Sequence, residues 1–307
     1  MKLTFCCTGT RPEPWLAALA AALPEAQLSV WAPGDPLADV AVVWSPPQRF
    51  VDEQVALKAL FNIGAGVDGL LQLQLPPGLL VVRLDDAGMA VQMAEYVTQA
   101  VVRCFRDLPA CEQSQQSAHW AYPKPRIRAD FQVGVMGLGV LGGRVAQALR
   151  HFEFPVRGWS RSPKTWPGVD TFNGTGEAFE RFLSGTSVLV NLLPLTPETR
   201  DILNRHTLGQ LPPGAHVINV ARGAHLVEED LLALLDSGHL ASATLDVFRV
   251  EPLPPAHPFW KHPKITVTPH LSARTLRDES VAQITSKVRA LVQGLPIAGV
   301  VDPARGY

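Results

Sequence analysis

Charge is scarce in this chain of 307 residues: Asp, Glu, Lys and Arg make up 18%, against about a quarter in an average soluble protein. The 27 basic residues are offset by 28 acidic ones, for a net charge of −1. That balance provides no basic field for nucleic acid and no polybasic anchor for a membrane surface, so neither partner is expected. Cysteine is rare as well. Cys6, Cys7, Cys104 and Cys111 contain no CxxC pair, and Cys104 and Cys111, in a helical-looking segment, read as reduced core thiols rather than a redox pair. No apolar run approaches the ~18 residues that span a bilayer, and the start of the chain has too short an apolar core for a signal peptide. A reduced, cytoplasmic globular protein is expected. A GxSxG elbow for nucleophilic hydrolysis is missing, and His257 and His262 flank a Pro-rich loop without a third ligand, so no metal site is expected.

What the chain has in quantity is apolar residues, at 47%, and 27 prolines. The first excludes disorder for the bulk of the chain. The prolines are scattered and read as punctuation between many short elements. At about 100–200 residues per domain, the length suits two domains.

Two series of β-type runs alternate with helical stretches. The first covers 2–7, 27–31, 39–44, 60–63 and 79–84; the second covers 131–136, 156–160, 187–193, 215–220, 243–247 and 265–268. Helices are expected over 15–23, 140–152 and 228–236, and a long one from Met89 to about Leu108 follows from the spacing of Met89, Met93, Val97, Val101, Cys104 and Leu108. Continuous apolar strands separated by helices predict an α/β protein of two doubly wound parallel-sheet, Rossmann-like domains with a cleft between them. The expected division is 1–98 plus 275–307 for a discontinuous first domain, closed by a helix over 275–294, and 99–274 for the second. The polar segment 113–129 is too long for an ordinary connection and reads as an arm or a partner-contacting loop.

A buried strand over 131–136 runs into Gly137-Leu138-Gly139-Val140-Leu141-Gly142 and then a helix, the context in which GxGxxG points to a dinucleotide. Gly137 permits the tight turn, Gly139 lets backbone approach a pyrophosphate, and Gly142 allows close helix packing. The helix N-terminus favours the phosphates. Where an NAD-preferring fold places an acidic residue at the end of the second strand, this chain reads Ser160-Arg161-Ser162. Two hydroxyls and a guanidinium there favour NADP, with NAD possible.

Three polar residues follow strands of the second series, where open α/β sheets bind ligands: Arg222, Glu251 and His270. Together they fit one chemistry. Arg222 can clamp a carboxylate, His270 can give a proton to the adjacent carbonyl oxygen as hydride arrives, and Glu251, if hydrogen-bonded to the imidazole, would favour its charged form. In the first domain the turn after 60–63 offers the amides of Ala65 and Gly66 to a substrate carboxylate, and Trp44 reads equally as a pocket wall or a core residue.

These segments resemble the D-isomer-specific 2-hydroxyacid dehydrogenases, and within them the glyoxylate/hydroxypyruvate reductase subgroup. The likeness runs from Trp44-Ser45-Pro46-Pro47 to 302–307 and is most specific in 137–142, 193–199, 219–223, 245–248 with Glu251-Pro252, Trp166-Pro167-Gly168, and Thr268-Pro269-His270. The resemblance implies an NADPH-preferring reductase of a small 2-oxo acid, with Arg222 as carboxylate binder and His270 as general acid partnered by Glu251. It further implies that Leu193, Pro194, Thr199, Val220, Ala221, Asp246 and Ser272 contact the cofactor, and that the protein is a homodimer joined through the cofactor domain. Many relatives carry Gly or Ala soon after the Pro-His pair, where this chain has Leu271-Ser272-Ala273, which leaves the pocket shape and the substrate open. The rival readings are a dehydrogenase of another 2-hydroxy acid and a non-catalytic, corepressor-like dinucleotide sensor.

Overall fold

The computed structural model describes residues 1–302 and Gly306, so part of the 302–307 segment counted in the resemblance lies outside the described residues. The chain divides into two compact units, Met1–Met89 with Arg274–Tyr307, and Ala90–Ala273. In chain order the first unit contains β1 (Lys2–Cys7), α1 (Glu13–Ala22), β2 (Gln27–Val30), β3 (Val40–Trp44), α2 (Gln48–Glu53), β4 (Ala59–Asn62) and β5 (Leu80–Val82). The second follows with α3 (Met89–Phe105), α4 (Leu108–Gln116), β6 (Val133–Met136), α5 (Val140–His151), β7 (Val156–Ser160), β8 (Val169–Asn173), α6 (Glu177–Ser184) and β9 (Val188–Asn191). It closes with α7 (Arg205–Leu208), β10 (Ala215–Asn219), α8 (Glu228–Asp236), β11 (Leu240–Leu245) and β12 (Ile265–Val267), and α9 (Arg277–Val292) belongs to the first unit.

Each unit is built on one parallel sheet. The first has the order β2-β1-β3-β4-β5. On one face of it, Val281, Ile284 and Val288 of α9 share a core with Leu3, Phe5 and Leu19. The second sheet has the order β12-β11-β10-β9-β6-β7-β8. Its strands feed two cores alternately: Val188 and Val190 point to one, Leu189 to the other, and Ile218 and Val217 split the same way. A strand covered on both faces must be apolar at every position, which is why these runs are unbroken in the sequence. The chain reverses its direction of winding between β6 and β9, so the loops leaving their C-terminal ends face a common crevice within this unit.

Three details differ from the sequence expectation. The chain passes into the second unit at Met89/Ala90 rather than at 98/99, because Met93, Ala94 and Val97 of α3 already pack with Phe131 and Val133, and it leaves at Ala273/Arg274 rather than one residue later. The long helix stops at Phe105: Asp107 takes a left-handed φ of 54° and α4 starts at Leu108. Leu108 and Cys111 are therefore turned to solvent, while Cys104 remains in the core and burial pushes its thiol up to about 11. Strand β8 carries Asp170 and Thr171 among its five residues; as an edge strand it needs no continuous apolar run.

Candidate active site

The loop after β6 meets the requirements of its three glycines in different ways. Gly137 has a φ of +99°, and a β-carbon there would lie 2.8 Å from the carbonyl oxygen of Leu192. At Gly142 a β-carbon would come within 1.8 Å of the Gly137 carbonyl oxygen, so only glycine lets α5 start this close to the turn. At Gly139 a β-carbon would meet nothing within 4 Å. This is the open side of the loop, beside an α5 N-terminus that has no side-chain cap. Unpaired amides, a partial positive charge and backbone open to solvent form a cradle for an anion. Leu138 turns inward against Gly158, while Val140 is exposed and Leu141 half-buried.

Ser160 is buried, and its hydroxyl donates to the Ser162 carbonyl at 2.8 Å, so it shapes the loop after β7 while Arg161 and Ser162 remain exposed. A hydrogen bond from Thr196 and, further down, the charge of Arg161 hold the Glu198 carboxyl below its ordinary range, which places Arg161 close to the loop after β9. In that loop Leu193 is buried, Pro194 exposed and Thr199 half-buried. The Thr199 hydroxyl donates to the Pro194 carbonyl at 2.7 Å, and His225 Nε2 approaches the same oxygen at 3.2 Å.

Arg222 sits in the turn after β10, and its guanidinium donates to the Ala221 carbonyl at 2.7 Å. Glu251, which precedes a cis peptide bond to Pro252, divides its carboxylate between two donors. Oε1 accepts from the Phe248 amide at 2.9 Å, and Oε2 lies 2.8 Å from His270 Nδ1. Because the carboxylate accepts, Nδ1 carries the proton of that contact and Nε2 is the ring nitrogen left for proton transfer. Partial burial opposes ionisation of Glu251, but the bonds from His270 and Phe248 and the nearby charge of Arg222 outweigh it and hold the carboxyl below its ordinary range. The structure thus brings Glu251 and His270 into direct contact with Arg222 close by.

Asp246 is completely buried. Its Oδ1 accepts from the Thr268 hydroxyl at 2.6 Å and the Leu271 amide at 2.9 Å, and its Oδ2 accepts from the Ser272 amide at 2.8 Å. The carboxylate therefore grips the turn that carries His270, whose own φ of 50° is left-handed and costs on the order of 1 kcal/mol for a non-glycine residue. The sequence resemblance assigned Asp246 to the cofactor; what the structure shows is a group turned toward the His270 turn. Ser272, Val220 and Ala221 are likewise buried.

Sequence reasoning missed the paired asparagines that hold the strand ends. Asn191 Nδ2 donates to Asn219 Oδ1 at 3.1 Å, the Leu193 amide donates to Asn191 Oδ1 at 3.2 Å, and Asn219 Nδ2 donates to the Arg222 carbonyl at 3.0 Å. Both are fully buried, and a polar residue ending an otherwise apolar strand was the available signal. Trp166 was noted only within its motif. Its indole lies where a β-carbon on Gly143 would stand, 2.2 Å away, and so anchors the loop after β7 on α5.

In the first unit, Asn62 at the end of β4 donates from Nδ2 to the carbonyls of Gly64 and Gly66, at 2.9 and 2.8 Å, and fixes the turn that contains Ala65 and Gly66. Trp44 is half-buried against the core of that unit, and its ring covers Gly64 closely enough that a β-carbon there would be 2.2 Å from it.

Residues 98–272 match the family model described as D-isomer specific 2-hydroxyacid dehydrogenase, NAD binding domain. Over the full length of both chains, the sequence is 49% identical to a glyoxylate/hydroxypyruvate reductase A of Serratia proteamaculans. A crystal structure of a D-isomer specific 2-hydroxyacid dehydrogenase from Xanthobacter autotrophicus, in complex with NADPH and MES, superposes with a TM-score of 0.94 at 42% identity, covering 100% of this chain and 99% of that one. An NADPH-dependent glyoxylate/hydroxypyruvate reductase from Sinorhizobium meliloti, in complex with NADP and sulfate, gives a TM-score of 0.93 at 35% identity with the same coverage.

Proposed function

Because the chain belongs to the D-isomer-specific 2-hydroxyacid dehydrogenase family, and is thereby an NAD(P)-dependent oxidoreductase, we propose that it reduces glyoxylate or hydroxypyruvate to glycolate or D-glycerate with NADPH as preferred cofactor. The observation that carries the reading is the Glu251–His270 contact at 2.8 Å beside Arg222, a proton donor held next to a carboxylate clamp.

The cradle fits a dinucleotide: open backbone at Gly139, the uncapped start of α5, and exposed Arg161 and Ser162 in place of an acidic residue after β7. Bound there, the nicotinamide supplies the hydride. Arg222 holds the substrate carboxylate through its planar fork, which orients the neighbouring carbonyl. In the first unit, taken by itself, the amides of Ala65 and Gly66 are proposed as donors to a carboxylate, and Trp44 as the residue that keeps their turn in shape. His270 donates its Nε2 proton to the carbonyl oxygen, which becomes the hydroxyl of the product, while Glu251 holds the ring in place through Nδ1. The NADPH preference is supported by the Arg161 loop and by relatives solved with NADPH and NADP.

A homodimer is part of this reading, with 113–129, where Trp120 and Tyr122 are about nine-tenths exposed, as the contacting segment. So is a cytoplasmic location; among the described residues no helix is long and apolar enough to cross a membrane. The test is NADPH consumption by the pure protein across 2-oxo acids of increasing side-chain size. Glyoxylate and hydroxypyruvate are expected to give the highest kcat/KM, and a bulkier acid outperforming both would overturn the substrate assignment.

A further inference from the structure

Tyr96 stands on α3 and its hydroxyl lies 2.6 Å from Thr268 Oγ1, across 172 residues of sequence. We propose that Tyr96 is a positioning residue for His270, acting through Thr268 and Asp246. The inference rests on the reading of His270 as the proton donor.

The direction of the hydrogen bonds follows from proton accounting. Thr268 has one hydroxyl proton and donates it to Asp246 Oδ1 at 2.6 Å. Its Oγ1 is therefore an acceptor toward Tyr96, and the phenol donates. Burial, opposed in part by the Thr268 bond, pushes the Tyr96 hydroxyl up to about 12, so it keeps that proton. The chain of donors ends on a carboxylate that also receives the amides of Leu271 and Ser272, immediately after His270. The His270 amide in turn donates to the backbone carbonyls of Asp246 and Thr268, at 2.8 and 3.1 Å. Every residue from Thr268 to Ser272 except Pro269 is thereby tied to Asp246 or to a neighbour in the turn.

The Thr268 amide already bonds the Leu245 carbonyl of β11 at 3.0 Å, and Tyr96 adds a second anchor for the turn, on α3. Met93 and Val97, on either side of it along α3, are buried in the core of the second unit. The turn also lies just before Ala273, where the chain leaves this unit, while α3 lies where it enters. The phenol thus joins the two ends of the unit at Thr268, two residues before the left-handed backbone of His270.

The test uses Tyr96→Phe, which removes one oxygen and keeps the ring, together with Thr268→Val, the double variant and His270→Ala. Readouts are kcat at saturating NADPH and glyoxylate, and the NADPH Kd from fluorescence quenching. Tyr96→Phe is expected to lower kcat about three- to ten-fold, the worth of one hydrogen bond, with the NADPH Kd unchanged. In the Thr268→Val background it should cause no further loss, because the link is already absent. An unchanged kcat in Tyr96→Phe, an equal loss in both backgrounds, or a Kd weakened in proportion would each overturn the inference. Normal turnover by His270→Ala would instead overturn the proton-donor reading on which it rests; an unchanged Tyr96→Phe beside a disabled His270→Ala would overturn the inference alone.

Discussion

Gly223 and Phe248 touch backbone to backbone: a β-carbon on Gly223 would sit 1.9 Å from the carbonyl carbon of Phe248. The turn that carries Arg222 therefore abuts the loop that carries Glu251 with no side chain between them. The Phe248 amide is also the donor to Glu251 Oε1 at 2.9 Å, so any shift of Phe248 is passed to the partner of His270. Gly223→Ala is expected to destabilise the fold by about 1–3 kcal/mol, as overpacking does, and to lower kcat as well. Urea unfolding and steady-state kinetics on the same preparation check both effects, and retention of wild-type stability would contradict the packing argument.

In the proposed function, His270 and Arg222 have separable roles. His270→Ala should lower kcat by about 10²–10⁴, the usual contribution of a positioned acid, and leave the NADPH Kd alone. Arg222→Ala should act mainly by raising the KM for the 2-oxo acid, with a smaller fall in kcat. Arg222→Lys is expected to recover little of this, because a point charge lacks the planar two-pronged geometry. If the two variants show the same pattern of KM and kcat, the division of labour fails.

Cofactor choice tests the loop after β7. Wild-type kcat/KM should be higher with NADPH than with NADH, and Arg161→Ala should lower the NADPH value by about 10–100-fold, the worth of a charge-assisted hydrogen bond, while NADH is little affected. A wild-type preference for NADH would refute the reading of Ser160-Arg161-Ser162.

His216 predicts a pH dependence of stability away from the active site. Burial first, and the charge of Arg126 second, lower its pKa from 6.5 to about 4. Arg126 lies 3.4 Å from Nε2 and can only donate, so Nε2 accepts and Nδ1 carries the proton toward Ser242 Oγ at 2.7 Å. As pH falls, the unfolded chain takes up a proton at this position before the folded one does. The stability contributed by the neutral ring is fully present above 6.5 and lost between there and about 4, to a total of roughly 3 kcal/mol. His216→Gln should flatten the stability curve across that window in urea titrations run at successive pH values. An equally steep acid limb in the variant would assign the loss to other groups.

Much of the fold was legible because parallel strands buried on both faces must be apolar at every residue, as 188–191 and 215–219 nearly are. The failures have equally physical causes. Strand β8 is an edge and mixes polar with apolar residues, and the break after Phe105 comes from the left-handed Asp107, a conformation that residue identity alone does not announce. In the candidate site, Arg222, Glu251 and His270 are proposed from their places after strands. Asn191 and Asn219 were passed over because a buried asparagine pair looks, in sequence, like two polar residues ending strands.

The sequence by itself determined a parallel α/β chain of two sheets, the glycine loop and the family. Those are written in local signals: apolar runs, turn-forming glycines, and short motifs at strand ends. Only the tertiary structure decided that Glu251 bonds His270 across 19 residues, that Tyr96 reaches Thr268 across 172, and that Asp246 closes on the turn between them. The reason is that a hydrogen bond is made over about 3 Å of space and carries no mark in either partner's local sequence. Which side chains meet is fixed when the sheets and helices pack.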